Sequence, residues 1–287
     1  MTKEMKSIPL NLRLTKEYVR VPKRNTLYSA GYDVFSQEEI TIAPFSSLEC
    51  ELPFTFSEQK HSKDVEPILV VRSSYGIKKK LCIHDGEGHI PTYNTLYLTK
   101  DTQRVWLYND SEEDIIIPLN EHFLQIVFTK RSDKLQPILF ECVTTHPENE
   151  FHDKFQLSEN QHQYFLMTKQ AMHFAPKEEK MFPIYLKGKV EANHFISAFI
   201  HPQYGGTLMF SNVLPIVDSD YYNNPKNEGL IYISLKNQLN REVVVHPNQA
   251  LCYFWAKPFY VLEGEEQTKN ERSGGIGSTS EPKKGEK

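Results

Sequence analysis

The sequence lacks the features that mark secreted, zinc-binding and membrane-spanning proteins. Its four cysteines, Cys50, Cys82, Cys142 and Cys252, form no CxxC pair, which argues against a zinc site or a disulfide scaffold and favours a reducing compartment. No run approaches the roughly 18 apolar residues of a membrane span, and the first ten residues hold no apolar signal segment. We therefore expect a soluble intracellular protein without membrane contact, located in the cytoplasm or, if viral, in the nucleus of a host cell.

An excess of positive charge is also lacking. Lys and Arg total 33 against 37 Asp and Glu, which gives a net charge of −4. A protein that coats nucleic acid by releasing counterions needs the opposite balance, so we expect no nucleic-acid partner. The balance still allows a local basic pocket for one anionic small molecule.

Long segments with helical periodicity are absent, and short strand-like runs recur instead. Examples are PILVV at 67–71, DIIIP at 114–118, FLQIVF at 123–128, LIYISL at 230–235, EVVVH at 242–246 and LCYFW at 251–255. β-Branched and aromatic residues separated by turn residues predict an all-β sandwich, jelly roll or barrel. Residues 146–163 are polar and lose this pattern, which indicates a boundary between two halves.

The two halves resemble each other. Residues 108–128 align without a gap on residues 236–256, at a constant offset that sets Asn109 on Asn237 and the triplet at 115–117 on the triplet at 243–245. A duplicated domain explains this agreement. We expect a first domain at 1–148, a linker at 149–164, a second domain at 165–262 and a flexible C-terminal tail at 263–287.

Five short segments combine charged, hydroxyl and glycine residues. They are AGYDV at 30–34, VRSSYGI at 71–77, NEHFLQ at 120–125, IVDSDY at 216–221 and ERSGGIGSTS at 271–280. Taken singly, each has an ordinary structural explanation, such as a turn aspartate, a surface arginine or a disordered Gly/Ser-rich terminus. The tail also has a functional explanation, because unhindered backbone N–H groups, hydroxyls and one arginine suit a triphosphate.

Together these segments resemble the five motifs of the dUTPases (dUTP diphosphatases), which occur here in the order one, two, four, three and five. The resemblance implies two tandem dUTPase-like β-barrel or jelly-roll domains followed by the tail. The expected place of the third motif, residues 88–93 (GHIPTY), lacks both carboxylates, and the intact version lies in the second half. Opposite Arg72 and Gln125, the second half has His201 and Tyr253. The losses in the two halves are therefore complementary.

This complementarity implies one complete site per chain. The first half supplies motifs one, two and four, the second half supplies motif three and the tail supplies motif five. The arrangement is similar to that of the monomeric, herpesvirus-type dUTPases, with the third motif in the opposite half. The resemblance implies a monomer that hydrolyses dUTP to dUMP and pyrophosphate with Mg²⁺.

The resemblance also implies roles for individual residues. Asp218 is the expected general base or water-orienting carboxylate, and Asp33 is expected to bind Mg²⁺ through water. Tyr221 is expected to lie under the sugar, where its ring excludes a ribose 2′-OH. The full set of expected substrate contacts is Arg72, Ser73, Ser74, Gly76, Gln125, Val217, Tyr221, Arg272, Gly275, Ile276, Gly277, Ser278 and Thr279.

Several departures from the family pattern leave alternatives open. Ile276 replaces the usual uracil-stacking Phe, Pro215 replaces a usual Gly in the uracil hairpin, and Arg272 stands one residue nearer the glycines. Residues 222–228 (YNNPKNE) look like an insertion. A dUTPase-fold protein that has lost turnover and acts as a regulatory or nucleotide-binding module is therefore the alternative. Deamination of dCTP is a third option, but no residue stands in the place of its acid/base glutamate.

Overall fold

The structure is a computed structural model that describes residues 7–8, 11–15, 20–57, 64–84, 96–98, 104–147, 149–211, 214–265, 268, 270 and 272. This part of the chain forms 26 β-strands and two short α-helices. The predicted all-β fold is therefore confirmed. None of the helices in these ranges has the length and apolar character required to cross a membrane.

In the described residues, the first half contains thirteen strands and one helix. They are β1 (Ser7–Ile8), β2 (Asn11–Leu14), β3 (Lys23–Arg24), β4 (Gly31–Phe35), β5 (Ile40–Ile42), β6 (Ser47–Glu51), β7 (Phe54–Ser57), β8 (Val65–Val71), α1 (Ser73–Lys79), β9 (Leu81–His84), β10 (Leu96–Tyr97), β11 (Arg104–Asn109), β12 (Ile115–Ile117) and β13 (His122–Lys130).

Within the ranges that the structure describes, the second half also contains thirteen strands and one helix; its first twelve strands repeat the order of β2 to β13, and one more follows at the end. They are β14 (Leu139–Cys142), α2 (Asn149–Lys154), β15 (Phe155–Asn160), β16 (Gln163–Thr168), β17 (Met172–Phe174), β18 (Glu179–Pro183), β19 (Leu186–Lys189), β20 (His194–Ile200), β21 (Leu208–Phe210), β22 (Ile216–Asp218), β23 (Tyr232–Asn237), β24 (Val243–Val245), β25 (Ala250–Pro258) and β26 (Val261–Leu262).

The two halves have the same strand pairing. The five-stranded sheet β10-β8-β13-β4-β3 corresponds to β22-β20-β25-β16-β15, and β6-β11-β9 corresponds to β18-β23-β21. The ribbons β2–β7 and β5–β12 correspond to β14–β19 and β17–β24. The strands that the sequence repeat aligns, β12 with β24 and β13 with β25, occupy equivalent positions. We refer to the two sets as the first and second barrels.

The asparagine pair in the repeat shows why the sequence similarity persists. Asn109 and Asn237 are fully buried. The Asn109 amide donates to Ile42 O at 2.8 Å and Glu113 O at 2.7 Å, and that of Asn237 donates to Ala175 O and Arg241 O, both at 2.8 Å. A buried amide of this kind satisfies backbone carbonyls that would otherwise lose their hydrogen bonds to water. Each asparagine thus closes the same turn in its own barrel.

Each barrel has its own apolar core. The first core includes Val34, Leu69, Leu107 and Ile126, and the second includes Leu166, Ile196, Leu235 and Phe254. The inward-facing residues alternate along the strands, as they do at Val105, Leu107 and Asn109 of β11. This period of two places one face of each sheet in the core.

A third cluster joins the barrels. Ala30 and Val127 of the first barrel pack with Phe195, Trp255 and Phe259 of the second half. Ion pairs Lys80–Glu179 and Lys236–Asp110 cross the same junction. The junction therefore combines a buried apolar centre with charged pairs, and it brings motifs of the two halves together.

The expected domain bounds stay a prediction, and the strand pairing crosses them. Strand β14 lies in the expected first domain, but it pairs with β19 of the second barrel. The expected linker, 149–164, forms α2, β15 and the start of β16, and Phe151 and Phe155 enter the second core. Sequence analysis did not predict these elements, because β14 has only four residues and β15 ends in the exposed polar run SEN, so neither has a clear alternating pattern.

The end of the chain also differs from expectation. After β25 the chain returns to the first barrel, where β26 pairs in parallel with β1 and Tyr260 joins the first core. Farther along, Leu27 N donates to Asn270 O at 3.3 Å. The described part of the expected flexible tail is therefore attached to the first barrel, and this attachment directs the chain towards Arg272.

Candidate active site

The first barrel contributes a buried carboxylate, amide and guanidinium. Asp33 on β4 and Gln125 on β13 lie directly opposite each other, and Gln125 Nε2 donates to Asp33 Oδ1 at 3.0 Å. Arg72 follows β8, and its Nε lies 3.5 Å from Asp33 Oδ1. Burial raises the pKa of Asp33, while Arg72 and Gln125 oppose the rise. The three polar side chains thus form one cluster across the adjacent strands β4, β13 and β8.

Gly31 makes this cluster possible. A Cβ at this position would lie 3.0 Å from Cδ and 3.1 Å from Oε1 of Gln125. A larger residue would therefore require the Gln125 side chain to shift by a few tenths of an ångström. The glycine of the AGYDV segment thus allows the Gln125 side chain to lie close to the backbone.

The second barrel contributes two carboxylates and a tyrosine. Asp218 ends β22, which pairs with β20 through Asp218 and Phe195. Asp220 and Tyr221 follow in a 3₁₀ turn, Ser219–Tyr221. The Ser219 hydroxyl donates to Ala192 O at 2.8 Å, which fixes the turn against the second barrel. Val217, in the same strand, pairs with Ile196 and contacts the second core.

Hydrogen bonds join the segment AGYDV of the first barrel to IVDSDY of the second. Ala30 N donates to Asp218 Oδ1 at 2.8 Å, and the Thr26 hydroxyl donates to Asp220 Oδ2 at 2.6 Å. The negative charge of Asp33 also acts on Asp218 and raises its pKa. The two groups predicted from different halves of the sequence therefore lie at one place in the structure.

The Asp218 carboxyl group has a pKa raised to about 6. Burial is the main cause, since the side chain is only 13% exposed. Arg272 lowers the pKa, Asp220 raises it, the Ala30 N–H lowers it and Asp33 raises it. A carboxylate that titrates near neutral pH is suited to accept a proton during a reaction.

Arg272 brings the C-terminal segment to the same place. Its guanidinium pairs with Asp218 Oδ2 through Nη2, and its Nε lies 2.6 Å from Asp220 Oδ1. The side chain is 10% exposed and lies 5.9 Å from the centre of the Tyr221 ring. A guanidinium fork matches two adjacent carboxylates. The expected γ-phosphate contact of Arg272 stays a prediction, and in this structure its partners are carboxylates.

The remaining predicted residues divide into two groups. Ser73, Ser74 and Gly76 lie in α1, directly after Arg72, where Gly76 N donates to Arg72 O at 2.9 Å. The second group lies outside the described residues and comprises Gly275, Ile276, Gly277, Ser278 and Thr279, together with the degenerate motif at 88–93.

Sequence analysis missed several residues at this site. Arg20 and Lys23 lower the pKa of Asp33, and His122 Nδ1 lies 3.5 Å from Asp33 Oδ2. Lys23 faces Asp33 across the pairing of β3 and β4, but β3 is too short to be recognised from sequence. Asp220 could have been predicted from the sequence, because it stands two residues from Asp218 in the same motif.

Comparison with known proteins identifies the family. The sequence model of the dUTPase family matches residues 17–158. Deoxyuridine 5′-triphosphate nucleotidohydrolase of Lactococcus lactis subsp. lactis (strain IL1403) is 32% identical over 144 residues, which are 49% of this chain and 95% of that protein.

Solved structures of dUTPases are also similar to part of the chain. The enzyme of Streptococcus mutans has a TM-score of 0.37 and 22% identity, covering 44% of this chain and 98% of that one. The enzyme of Staphylococcus aureus phage phi11 has a TM-score of 0.35 and 19% identity, covering 43% and 90%. Because the chain covers nearly all of the Lactococcus relative at 32% identity, it belongs to the dUTPase family.

Proposed function

We propose that the chain hydrolyses dUTP to dUMP and pyrophosphate at one site formed by both barrels and the C-terminal segment. The observation that carries this proposal is the hydrogen bond from Ala30 N to Asp218 Oδ1 at 2.8 Å. It joins the first motif of one barrel to the third motif of the other within one chain. Membership of the dUTPase family supplies the reaction, and the relative from Lactococcus lactis carries its name.

Asp218 acts as the general base. Its pKa of about 6 leaves the carboxylate mostly ionised at neutral pH, yet basic enough to take a proton from water. The water oxygen attacks the α-phosphorus, and the bond from that phosphorus to the oxygen bridging the α- and β-phosphates breaks. The proton goes to Asp218, and the electron pair leaves with pyrophosphate.

Arg72, Ser73 and Gln125 bind the phosphates. Arg72 is 5% exposed; its backbone N–H donates to Phe123 O at 3.0 Å, and its guanidinium Nε lies 3.5 Å from Asp33 Oδ1. A guanidinium fixed in this way can meet phosphate oxygens without first losing side-chain entropy. Ser74 and Gly76 continue the same surface, and Gln125 donates to an α-phosphate oxygen.

Arg272 moves from the carboxylates to the γ-phosphate when the nucleotide enters. A phosphate carries more charge than either carboxylate and accepts the same fork of hydrogen bonds. The move releases Asp218 to act on water. The glycine-rich segment 273–280 would then lie along the phosphates, with Gly275, Gly277, Ser278 and Thr279 as donors and Ile276 against uracil.

Tyr221 and Val217 line the nucleoside side of the site. Tyr221 lies under the deoxyribose, where the ring leaves no space for a 2′-hydroxyl. Val217, in the strand that precedes Tyr221, contacts the nucleotide base. The carbonyl of Pro215 accepts from Ser197 Oγ at 2.8 Å, so this part of the uracil hairpin is fixed to β20.

The residues present suit Mg²⁺ that enters with the nucleotide. No cluster of three His, Cys, Asp or Glu side chains suited to a metal occurs within the described ranges. Asp33 is 2% exposed and already bonded to Gln125, so it can hold a metal-bound water more readily than the ion. A hard cation held by phosphates and water neutralises charge on the phosphates. Asp33 would hold a water bound to that cation.

We further propose that the protein is a monomer with one nucleotide site per chain, with the third motif placed in the second half. The complementary losses in the two barrels support this, since His201 and Tyr253 replace Arg72 and Gln125 in the second. Calorimetry with a non-hydrolysable dUTP analogue should give one site per chain, and light scattering should give about 33.4 kDa. Two or three equivalent sites, or a trimer, would refute the proposal.

The alternative is a nucleotide-binding protein that has lost turnover, which Ile276 and Pro215 favour. Pyrophosphate release from dUTP, compared with dTTP, dCTP and UTP, with and without Mg²⁺, separates the two functions. We expect release from dUTP alone and only with Mg²⁺. Tight dUTP binding without pyrophosphate release would establish the alternative.

A further inference from the structure

The seven residues 222–228 (YNNPKNE) form an ordered loop directly behind Tyr221. Asn223 N donates to Glu228 O, and Glu228 N donates to Asn224 O, both at 2.9 Å. Asn223 and Glu228 adopt positive φ angles of 57° and 58°, which close the loop on itself. The segment that looks like an insertion in the sequence is thus a compact turn beside the site.

The loop forms hydrogen bonds with both the side-chain hydroxyl and the backbone carbonyl of Tyr221. Asn227 Nδ2 donates to the Tyr221 hydroxyl at 2.9 Å, and that hydroxyl donates to Leu230 O at 3.0 Å. Asn224 Nδ2 donates to the Tyr221 carbonyl at 3.0 Å. The hydroxyl is therefore engaged as donor and acceptor at once, on the side of the ring that faces the loop.

Asn224 and Asn227 also form a hydrogen bond with each other. Asn224 is 4% exposed, and its Nδ2 lies 2.6 Å from Asn227 Oδ1. Its own Oδ1 accepts from Lys226 N at 3.1 Å. Gly229, with φ 86°, permits the close approach behind them, because a Cβ there would lie 2.6 Å from Tyr221 O. The partners of the two amides thus lie inside the loop, on Tyr221 and at Gly229, whose N–H donates to Asn227 Oδ1 at 3.2 Å.

On its far side the loop is fastened to the second barrel and to the chain that follows β14. Glu228 accepts from Thr144 N at 2.9 Å and from Thr144 Oγ1 at 2.8 Å. Lys187 Nζ donates to Asn223 Oδ1 at 2.7 Å. Because the loop is fixed at both ends, it can act as a rigid support for the tyrosine ring.

We propose that Asn224 and Asn227 are positioning residues that fix the Tyr221 ring and thereby set the discrimination against ribonucleotides. The inference rests on the proposed function of Tyr221 under the sugar. Steric exclusion of the ribose 2′-hydroxyl requires that the Tyr221 ring be held rigidly. A ring that can shift by a fraction of an ångström admits the larger sugar. The hydrogen bond from Asn227 prevents that shift, and Asn224 holds Asn227 in place.

The test is the ratio of kcat/KM for dUTP to kcat/KM for UTP. Asn227→Leu keeps the side-chain size and removes the donor, so we expect the ratio to fall about five- to tenfold, the effect of losing one hydrogen bond. Lys226→Ala is the matched control in the same loop, because its side chain is exposed, and it should leave the ratio unchanged. General destabilisation would lower both kcat/KM values together without changing their ratio.

A double-mutant cycle shows whether Asn227 acts through the tyrosine hydroxyl. Tyr221→Phe removes that hydroxyl, and in its background Asn227→Leu should have no further effect on the ratio. If Asn227→Leu does not fold, Tyr221→Phe removes the hydroxyl's bonds to Asn227 and to Leu230 O together and should lower the ratio by at least the same factor. An unchanged ratio in a variant that hydrolyses dUTP would overturn the inference. A wild-type chain without dUTP hydrolysis would instead refute the proposed function.

Discussion

The two barrels share one strand pairing but have opposite chemistry at equivalent positions. In the first barrel, Gln125 on β13 lies opposite Asp33 and donates to its carboxylate. In the second, Tyr253 on β25 takes the position of Gln125 and lies opposite Phe165, with the ring centres 5.7 Å apart. A polar pair in one barrel is thus an aromatic pair in the other.

The arginine position differs in the same way, although its backbone is preserved. Arg72 N donates to Phe123 O at 3.0 Å, and His201 N donates to Leu251 O at the same distance. Each residue precedes a short helical turn with extended φ and ψ angles. The second barrel therefore retains the geometry of the motif and has lost the guanidinium.

The aromatic face of the second barrel serves packing. Phe199 stacks on Tyr253 at 5.6 Å and on Trp255 at 5.4 Å, and it contacts Ile68 and Val70 of the first barrel. Equivalent strands thus carry the polar pair of Asp33 and Gln125 in the first barrel and part of the junction in the second. The second barrel lacks the polar side chains that the first barrel has at these positions, and it contributes Asp218 from β22 instead.

Asp218→Asn should have the largest effect on turnover. Loss of the general base is expected to lower kcat by ~10²–10⁴-fold, whereas binding of a non-hydrolysable dUTP analogue should be nearly unchanged. Steady-state kinetics and calorimetry measure the two quantities. Turnover close to wild type would remove Asp218 from the mechanism.

Arg72→Ala and His201→Ala compare the two barrels at one equivalent position. Removing a fixed donor to the phosphates should lower kcat/KM by ~10²–10³-fold. His201→Ala should change kcat/KM less than about twofold, because its barrel is assigned no phosphate contact. Similar losses in the two variants would contradict the division of roles between the barrels.

Arg272→Gln should lower kcat/KM by roughly tenfold, through loss of one charge-assisted contact, and should also change its pH dependence. Asp218 must be ionised to act, so activity falls as the pH drops through about 6. Arg272 lowers the pKa of Asp218 and Asp220 raises it. The acidic limb should therefore move to higher pH in Arg272→Gln and to lower pH in Asp220→Asn.

Measuring kcat/KM from pH 5 to 8 for these two variants and the wild type provides the check, since this parameter reports the free enzyme. Titration of the nucleotide is common to all three proteins and cancels in the comparison. If the acidic limb lies at the same pH in all three proteins, Asp218 does not control the pH dependence of kcat/KM.

Phe199→Ala should have the smallest effect on catalysis and a measurable effect on folding. Because Phe199 is partly buried at the junction, its truncation should lower the free energy of unfolding by about 2–3 kcal/mol, below the range for a fully buried phenylalanine. Phe45→Ala is the control, since Phe45 is 58% exposed, and should lie within about 0.5 kcal/mol of wild type. Denaturant unfolding with an unchanged free energy in Phe199→Ala would show that the aromatic face does not support the junction.

The sequence predicts the all-β fold and the equivalent strands well, because alternation of apolar residues and the buried asparagines are local signals. Asn109 and Asn237 mark the same turn in both barrels, and the sequence alignment finds them. It also predicts the residues that cluster at the site, since Asp33, Arg72, Gln125 and Asp218 stand in recognisable motifs.

Contacts between distant segments leave no such signal. Nothing in the sequence around Arg272 indicates a pairing with Asp218 and Asp220, and β26 is too short to be recognised as a partner of β1. Likewise, residues 222–228 appear in the sequence as an insertion, and only the structure shows that Asn227 supports Tyr221. These features depend on tertiary packing, which propensity and periodicity do not encode.

The most direct test of the shared site is complementation between two inactive variants. Asp218→Asn lacks the contribution of the second barrel, and Arg72→Ala lacks that of the first. If one chain forms the whole site, co-expressed or co-refolded mixtures of the two variants should have no more dUTP hydrolysis than the sum of the separate proteins. Recovery of a substantial fraction of wild-type activity in the mixture would mean that sites form between chains and would contradict the account.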